Sequence, residues 1–187
     1  MNKTLITFFT VLFCLTSSVG WSLEFKDLVY RDGLYYKKFT EVPFTGKITG
    51  KTIGSFKNGK EDGSWVYYHD NGQLDSKGDY KNGNGDGFWI GYYENGQLKS
   101  KGNWKNGKKD GSWFNYYQNG QLDSKGDYKN GKKEGSWVSY YTNGQLDYKG
   151  EYKNGKQEGS WVWYDENGTI ITELLTGTYK DGKKISD

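Results

Sequence analysis

KNGKKDGSWFNYYQNGQLDSKGDY, Lys105 to Tyr128, is one unit of a 24-residue repeat. Its Gly-x-Trp triplet recurs at Gly63-Ser64-Trp65, Gly87-Phe88-Trp89, Gly111-Ser112-Trp113, Gly135-Ser136-Trp137 and Gly159-Ser160-Trp161. Its Lys-Asn-Gly recurs at 57–59, 81–83, 105–107, 129–131 and 153–155. A second Asn-Gly opens at 71, 95, 119, 143 and 167, followed by Gln-Leu or, in the last copy, Thr-Ile. That copy holds three extra residues between Thr169 and Tyr179, and its turn becomes Lys180-Asp181-Gly182. Terminal repeats depart from the pattern because they must close the stack.

Each unit reads as two short strands. Asn and Gly supply the positive φ that tight hairpin turns demand, and the chain between turns alternates with the strand period. A two-residue Asn71-Gly72 loop pairs His69 with Leu74, Tyr67 with Ser76 and Trp65 with Gly78. Paired residues share a side, so Trp65, Trp89, Trp113, Trp137 and Trp161 are expected on one face. Gly78, Gly102, Gly126 and Gly150 leave room for the rings, and Leu74, Leu98, Leu122 and Leu146 lie beside them as the structural core. The opposite parity of the first strand carries Val66, Ile90, Phe114, Val138 and Val162. Tyr68, Tyr92, Tyr116, Tyr140 and Tyr164 follow on the same side. The expected fold is all-β: an elongated antiparallel β-meander of hairpin repeats in a single-layer curved sheet, each unit touching only its neighbours. A one-residue difference in the turn would invert these faces.

The 187 residues divide into three parts. Residues 1–22 join a basic start, an apolar run from Leu5 to Thr16 and a small-residue exit at Gly20 or Ser22, the pattern of a cleaved signal peptide. The run is too short for a spanning helix, so an exported, periplasmic or secreted product is expected rather than a membrane anchor. Phe13 ahead of Cys14 does not suit a lipobox. Residues 23–56 form an N-terminal cap and degenerate first repeat, in which Pro43, the single proline, suits a strand start or an edge. Residues 57–187 hold five repeats and an atypical C-terminal cap.

Composition excludes several chemistries. One Cys and one His cannot build an intramolecular disulfide or a Cys/His zinc site. A net charge of +3 from 26 basic and 23 acidic residues is too balanced for nucleic-acid binding. Asp62, Asp86, Asp110, Glu134 and Glu158 precede each turn glycine, which marks them as structural rather than catalytic. His69 replaces a tyrosine of its column and reads as drift, so no catalytic residue is assigned and the chain is not expected to be an enzyme. Asn82-Gly83-Asn84-Gly85-Asp86-Gly87 is similar to a calcium turn but occurs once. The other copies put Lys108-Lys109 or Lys132-Lys133 there, and no metal or other cofactor is expected.

The run Gly78-x-Tyr80-Lys81-Asn82-Gly83, then Gly87-x-Trp89, Tyr92 and Asn95-Gly96, resembles the MORN repeat, with Trp where that pattern has its second Gly. The departure resembles the bacterial MORN-variant family of YwqK-type antitoxins, over residues 43–182. The resemblance implies a non-enzymatic array that binds a protein partner, as a scaffold or as an immunity-like or antitoxin-like protein. It leaves self-association and peripheral association with anionic lipid as weaker expectations. A rival lies in Trp113 to Leu122, which is similar to choline- or glucan-binding cell-wall repeats and implies carbohydrate binding. The Trp column reads as packing, since every repeat needs it to bury area. The lysines Lys77, Lys101, Lys125 and Lys149 alternate with acids and read as a solvated face. The phenol column Tyr68, Tyr92, Tyr116, Tyr140 and Tyr164 is the candidate partner-binding site.

Overall fold

The computed structural model describes residues 22–172 and 175–187, and the segment 1–22 expected to be a signal peptide lies outside them but for Ser22. Among the described residues one antiparallel sheet of 15 strands runs in chain order and does not close into a barrel. A separate hairpin, Leu28–Arg31 with Leu34–Lys37, lies at the N-terminal end. No described helix is long and apolar enough to cross a membrane.

The two Asn-Gly turns of each repeat fold differently. At Asn82-Gly83 both residues take positive φ, 52° and 79°, the two-residue turn whose twist matches the flanking strands. Lys81 accordingly pairs with Asn84, and Lys105 with Lys108. The turn is held from the preceding repeat: the Asn106, Asn130 and Asn154 N–H groups donate to Asp86, Asp110 and Glu134 at 3.1, 3.3 and 2.7 Å. The carboxylates before the turn glycines are structural, as their spacing suggests.

At Asn71-Gly72 only the glycine has positive φ. Gly72 N–H donates to His69 O and His69 N–H to Gln73 O, which makes this a three-residue loop. Asn71 Oδ1 accepts from Gln73 N–H, and Asn71 Nδ2 donates to Glu94 O one repeat on. The same pair of bonds recurs at Asn95, Asn119 and Asn143.

This loop corrects the expected register. Tyr68, not His69, pairs with Leu74, and an extra residue at Asp75 then restores Tyr67 to Ser76 and Trp65 to Gly78. Leu98, Leu122 and Leu146 likewise pair with Tyr92, Tyr116 and Tyr140. The leucines therefore share the side of the Val and Tyr columns and do not pack beside the tryptophans. The bulge also turns Asp75 toward the Trp side, where its carboxylate lies 3.6 Å from His69 Nε2.

The tryptophan ladder is the core. Trp65, Trp113, Trp137 and Trp161 are buried. Each pairs with the glycine of its own hairpin, but its ring covers the glycine of the strand before it. Trp65 covers Gly54, Trp89 covers Gly78, Trp113 covers Gly102, Trp137 covers Gly126 and Trp161 covers Gly150. The Nε1–H groups of Trp89, Trp113, Trp137 and Trp161 donate to the carbonyls of Asp79, Asn103, Asp127 and Glu151 at 3.0–3.2 Å. Tyr128 and Tyr152 meet Trp137 edge-on at 5.2 and 6.0 Å, the geometry their quadrupoles favour.

Both ends close this ladder differently. At the start Ile48 and Phe56 are buried with Trp65 and Leu28, and Phe56 meets Trp65 edge-on at 5.0 Å. At the finish Trp161 pairs with Gly177, where Ser186 O and Lys184 Cε fill the space that a tryptophan ring takes over Gly126. The three extra residues lengthen the loop before that strand and leave the pairing intact.

Candidate partner-binding face

Hydrogen bonds across repeats hold the second loops in line. Tyr93, Tyr117 and Tyr141 hydroxyls donate at 2.7 Å to the carbonyls of Tyr116, Tyr140 and Tyr164. His69 Nε2 lies 3.1 Å from Tyr92 O, taking the same place in the first repeat. His69 thus continues this ladder with a different donor.

The Trp side is largely closed by its own side chains. Lys109 and Lys133 set their ammonium groups 4.0 Å from the Trp113 and Trp137 ring centres, and 5.1 and 4.9 Å from Tyr128 and Tyr152. Burial pushes both lysine pKa values down, while the ring faces attract the charge. Burial also raises the tyrosines of this side, with Tyr148 pushed up to about 12 and Tyr128 and Tyr152 in the same direction. An unfolded tyrosine ionises near pH ~10. The folded state holds its phenol protons more tightly, so stability is intact below that pH and falls as pH climbs toward 12. Phenolate absorbance should therefore rise together with loss of the near-ultraviolet tryptophan dichroism. Ionisation with that dichroism intact would show these phenols to be solvated.

The other side is open. Its floor alternates apolar and lysine side chains across the strands: Val66 pairs with Lys77, Ile90 with Lys77 and Lys101, Phe114 with Lys101 and Lys125, and Val138 with Lys125 and Lys149. Beside it runs a polar row in which Ser64 donates to Asp79 and Ser112 to Asp127, both at 2.6 Å. Phe114, Val138 and Val162 line a groove of about 550 Å³ with Lys125, Lys149, Asp127 and Glu151 at its sides. A smaller recess of about 250 Å³ lies on Val66, Phe88 and Ile90 of the same side.

The phenol column stands on this side too. Tyr68 is 37% exposed, and Tyr92, Tyr116, Tyr140 and Tyr164 are half-buried. None of the five is among the residues lining the groove. The Val column, which the alternation identifies as apolar, supplies the groove instead.

The repeated glycine-tryptophan hairpin, its carboxylate-held turn and its inter-repeat ladder now fix the unit. The sequence pattern of the MORN repeat variant matches residues 61–82, 86–106, 109–130, 133–154 and 157–177, more than half of the chain. The chain belongs to the MORN repeat variant family. In MORN-variant terms each matched segment begins at or near the short strand before the turn glycine and ends at or near the next Asn-Gly turn or, in the last copy, at Gly177. The unit thus spans one Trp and the glycine paired with it.

Among curated proteins none matches this MORN-variant chain. Among solved structures it is similar to the GtfA/B complex bound to UDP and GlcNAc. The identity is 16%, over 84% of this chain and 26% of that one, with a TM-score of 0.21. The chain spans about a quarter of that chain's length, and a likeness this slight carries no argument.

Proposed function

We propose that this MORN-variant array is a non-enzymatic protein that binds a protein partner along its open face. The observation that carries the reading is the groove over Phe114, Val138 and Val162, where apolar side chains alternate with Lys125 and Lys149 on the open side of the sheet. Contiguous uncovered apolar surface in a folded protein tends to mark an interaction site. The phenol column extends the same face and adds amphipathic rings suited to an interface. The non-enzymatic reading is supported by the carboxylates, since Asp86, Asp110, Glu134 and Glu158 are committed to holding turns. Export by the segment 1–22 and an immunity-like role belong to the same proposal and draw support from the apolar run Leu5 to Thr16.

In-cell crosslinking and capture, read by mass spectrometry, tests this directly. One enriched protein is expected, and Val138→Glu or the pair Tyr116→Ser and Tyr140→Ser should weaken its binding at least ten-fold, about 1.4 kcal/mol or more. Wall or capsule carbohydrate recovered in place of a protein would overturn the reading, as would binding unchanged in folded variants.

A further inference from the structure

The second repeat lacks the lysine that covers the Trp side in the two repeats after it, a position held by Glu61 in the first repeat and Gln157 in the fifth. In the third and fourth repeats Lys109 and Lys133 lie over a tryptophan four residues on and an aromatic ring nineteen residues on. The same position in the second repeat is Gly85, and the corresponding rings are Trp89 and Trp104. Among the described residues no lysine or arginine stands over either ring. Trp89 is the one tryptophan of the five-membered column that is only half-buried. A pocket of about 310 Å³ opens there, lined by Tyr80, Trp89, Trp104, Asn84 and the backbone of Gly83, Gly85 and Gly107. Tyr80 meets Trp89 edge-on at 5.3 Å. Glu61 Oε2 lies beside Gly83 at the margin, with the stem of Lys60 on the same glycine.

We propose that Tyr80, Trp89 and Trp104 form a binding pocket for a primary alkylammonium group, carried either by a free amine or by a lysine side chain of another protein. The neighbouring repeats show what this frame of rings accepts, because their own lysines occupy it with the ammonium on the ring faces. In the second repeat aromatic rings stand at the same positions and line a pocket, and the occupant is missing. The rings attract a cation through their negative faces. Glu61 adds a carboxylate at the margin, and Asn84 adds an amide oxygen. The site lies on the opposite side of the sheet from the groove and does not depend on the partner-binding reading.

Gly85 also provides the test. Its φ is not left-handed, and a Cβ there would meet Trp104 at an ordinary 3.5 Å, so Gly85→Lys is admitted without strain. That variant restores the occupant that Lys109 and Lys133 supply in their own repeats. The full chain is titrated with n-butylamine at neutral pH, with N-acetyl-lysine methylamide and with N-acetyl-norleucine methylamide. Binding is read from the Trp89 and Trp104 indole N–H signals. The two ammonium probes should give saturable shifts in the wild type, at least about ten-fold weaker in Gly85→Lys and weaker also in Glu61→Gln. Tighter binding of the lysine amide than of butylammonium assigns the site to a protein lysine, and equal binding assigns it to a free amine. Either supports the pocket. A norleucine probe that binds as well as lysine overturns it. So does a Gly85→Lys variant that binds like the wild type, or a wild type with no saturable response.

Discussion

Trp137→Ala should lower the stability of the array by about 4 kcal/mol, the range for emptying a large aromatic site in a close-packed core. The ring is 2% exposed, donates to Asp127 O at 3.0 Å and is met edge-on by Tyr128 and Tyr152. Truncation removes all of these together and leaves Lys133 over a void rather than a ring. A second consequence follows from the architecture. Each repeat touches only its neighbours, so stability is a chain of local terms. Loss at the fourth repeat should uncouple the fifth repeat and its cap from the N-terminal units. Thermal unfolding should then show two transitions, and amide exchange should speed up from the fourth repeat toward the C-terminus. A single sharp transition with uniform exchange would show that the array melts as one unit.

Gly126→Ala should cost nearly as much, about 3 kcal/mol, through the opposite fault. A Cβ on Gly126 would fall within the Trp137 ring. The ring cannot step aside, because its Nε1 is tied to the neighbouring carbonyl and Lys133 lies on its outer surface. Gly126 does not have a left-handed φ, so the penalty is one of space alone. That makes the prediction specific. In a Trp137→Ala background the clash disappears, and Gly126→Ala should become nearly neutral. Denaturant midpoints for the two single variants and the double variant close this cycle. Additive losses would mean that the glycine is required for a reason other than the ring.

These variants also separate the inside of the molecule from its working surface. Trp137 and Gly126 govern whether the sheet exists, whereas Val138, one residue along, faces the groove. A partner that is lost in Val138→Glu and kept in variants of the ladder would be reading the apolar face. The pocket at Gly85 would be unaffected by either change, since it lies two repeats away from both and on the opposite side from Val138.

Much of this was legible in residue order. A 24-residue period that carries Gly-x-Trp, two Asn-Gly turns and a preceding carboxylate leaves few alternatives to an antiparallel meander of hairpins. The pairing of Trp65 with Gly78 follows from alternation and loop length, yet it holds for a reason that alternation does not contain. The loop at Asn71-Gly72 has three residues where two are expected, which shifts the register by one, and the extra residue at Asp75 shifts it back. Between these two compensating steps the parity inverts, so that Leu74 leaves the Trp side and Asp75 joins it. The loop is closed by bonds within its own hairpin, and Asn71 also bridges to Glu94 O of the next repeat, a contact that an isolated hairpin lacks. The identity of the glycine beneath each ring was likewise settled in three dimensions. Alternation sets Trp137 across from Gly150 and expects room for its ring there, whereas the ring, with its indole hydrogen bond to Asp127 O, lies over Gly126 instead. The pocket shows the same division. The glycine at 85, where the next two repeats have lysine, is visible in the sequence, but its meaning depends on finding Lys109 and Lys133 folded over rings. Local order thus determined strands, turns and period, because those depend on propensity and backbone geometry. Which face a side chain joins, and what covers it, was decided by contacts between repeats.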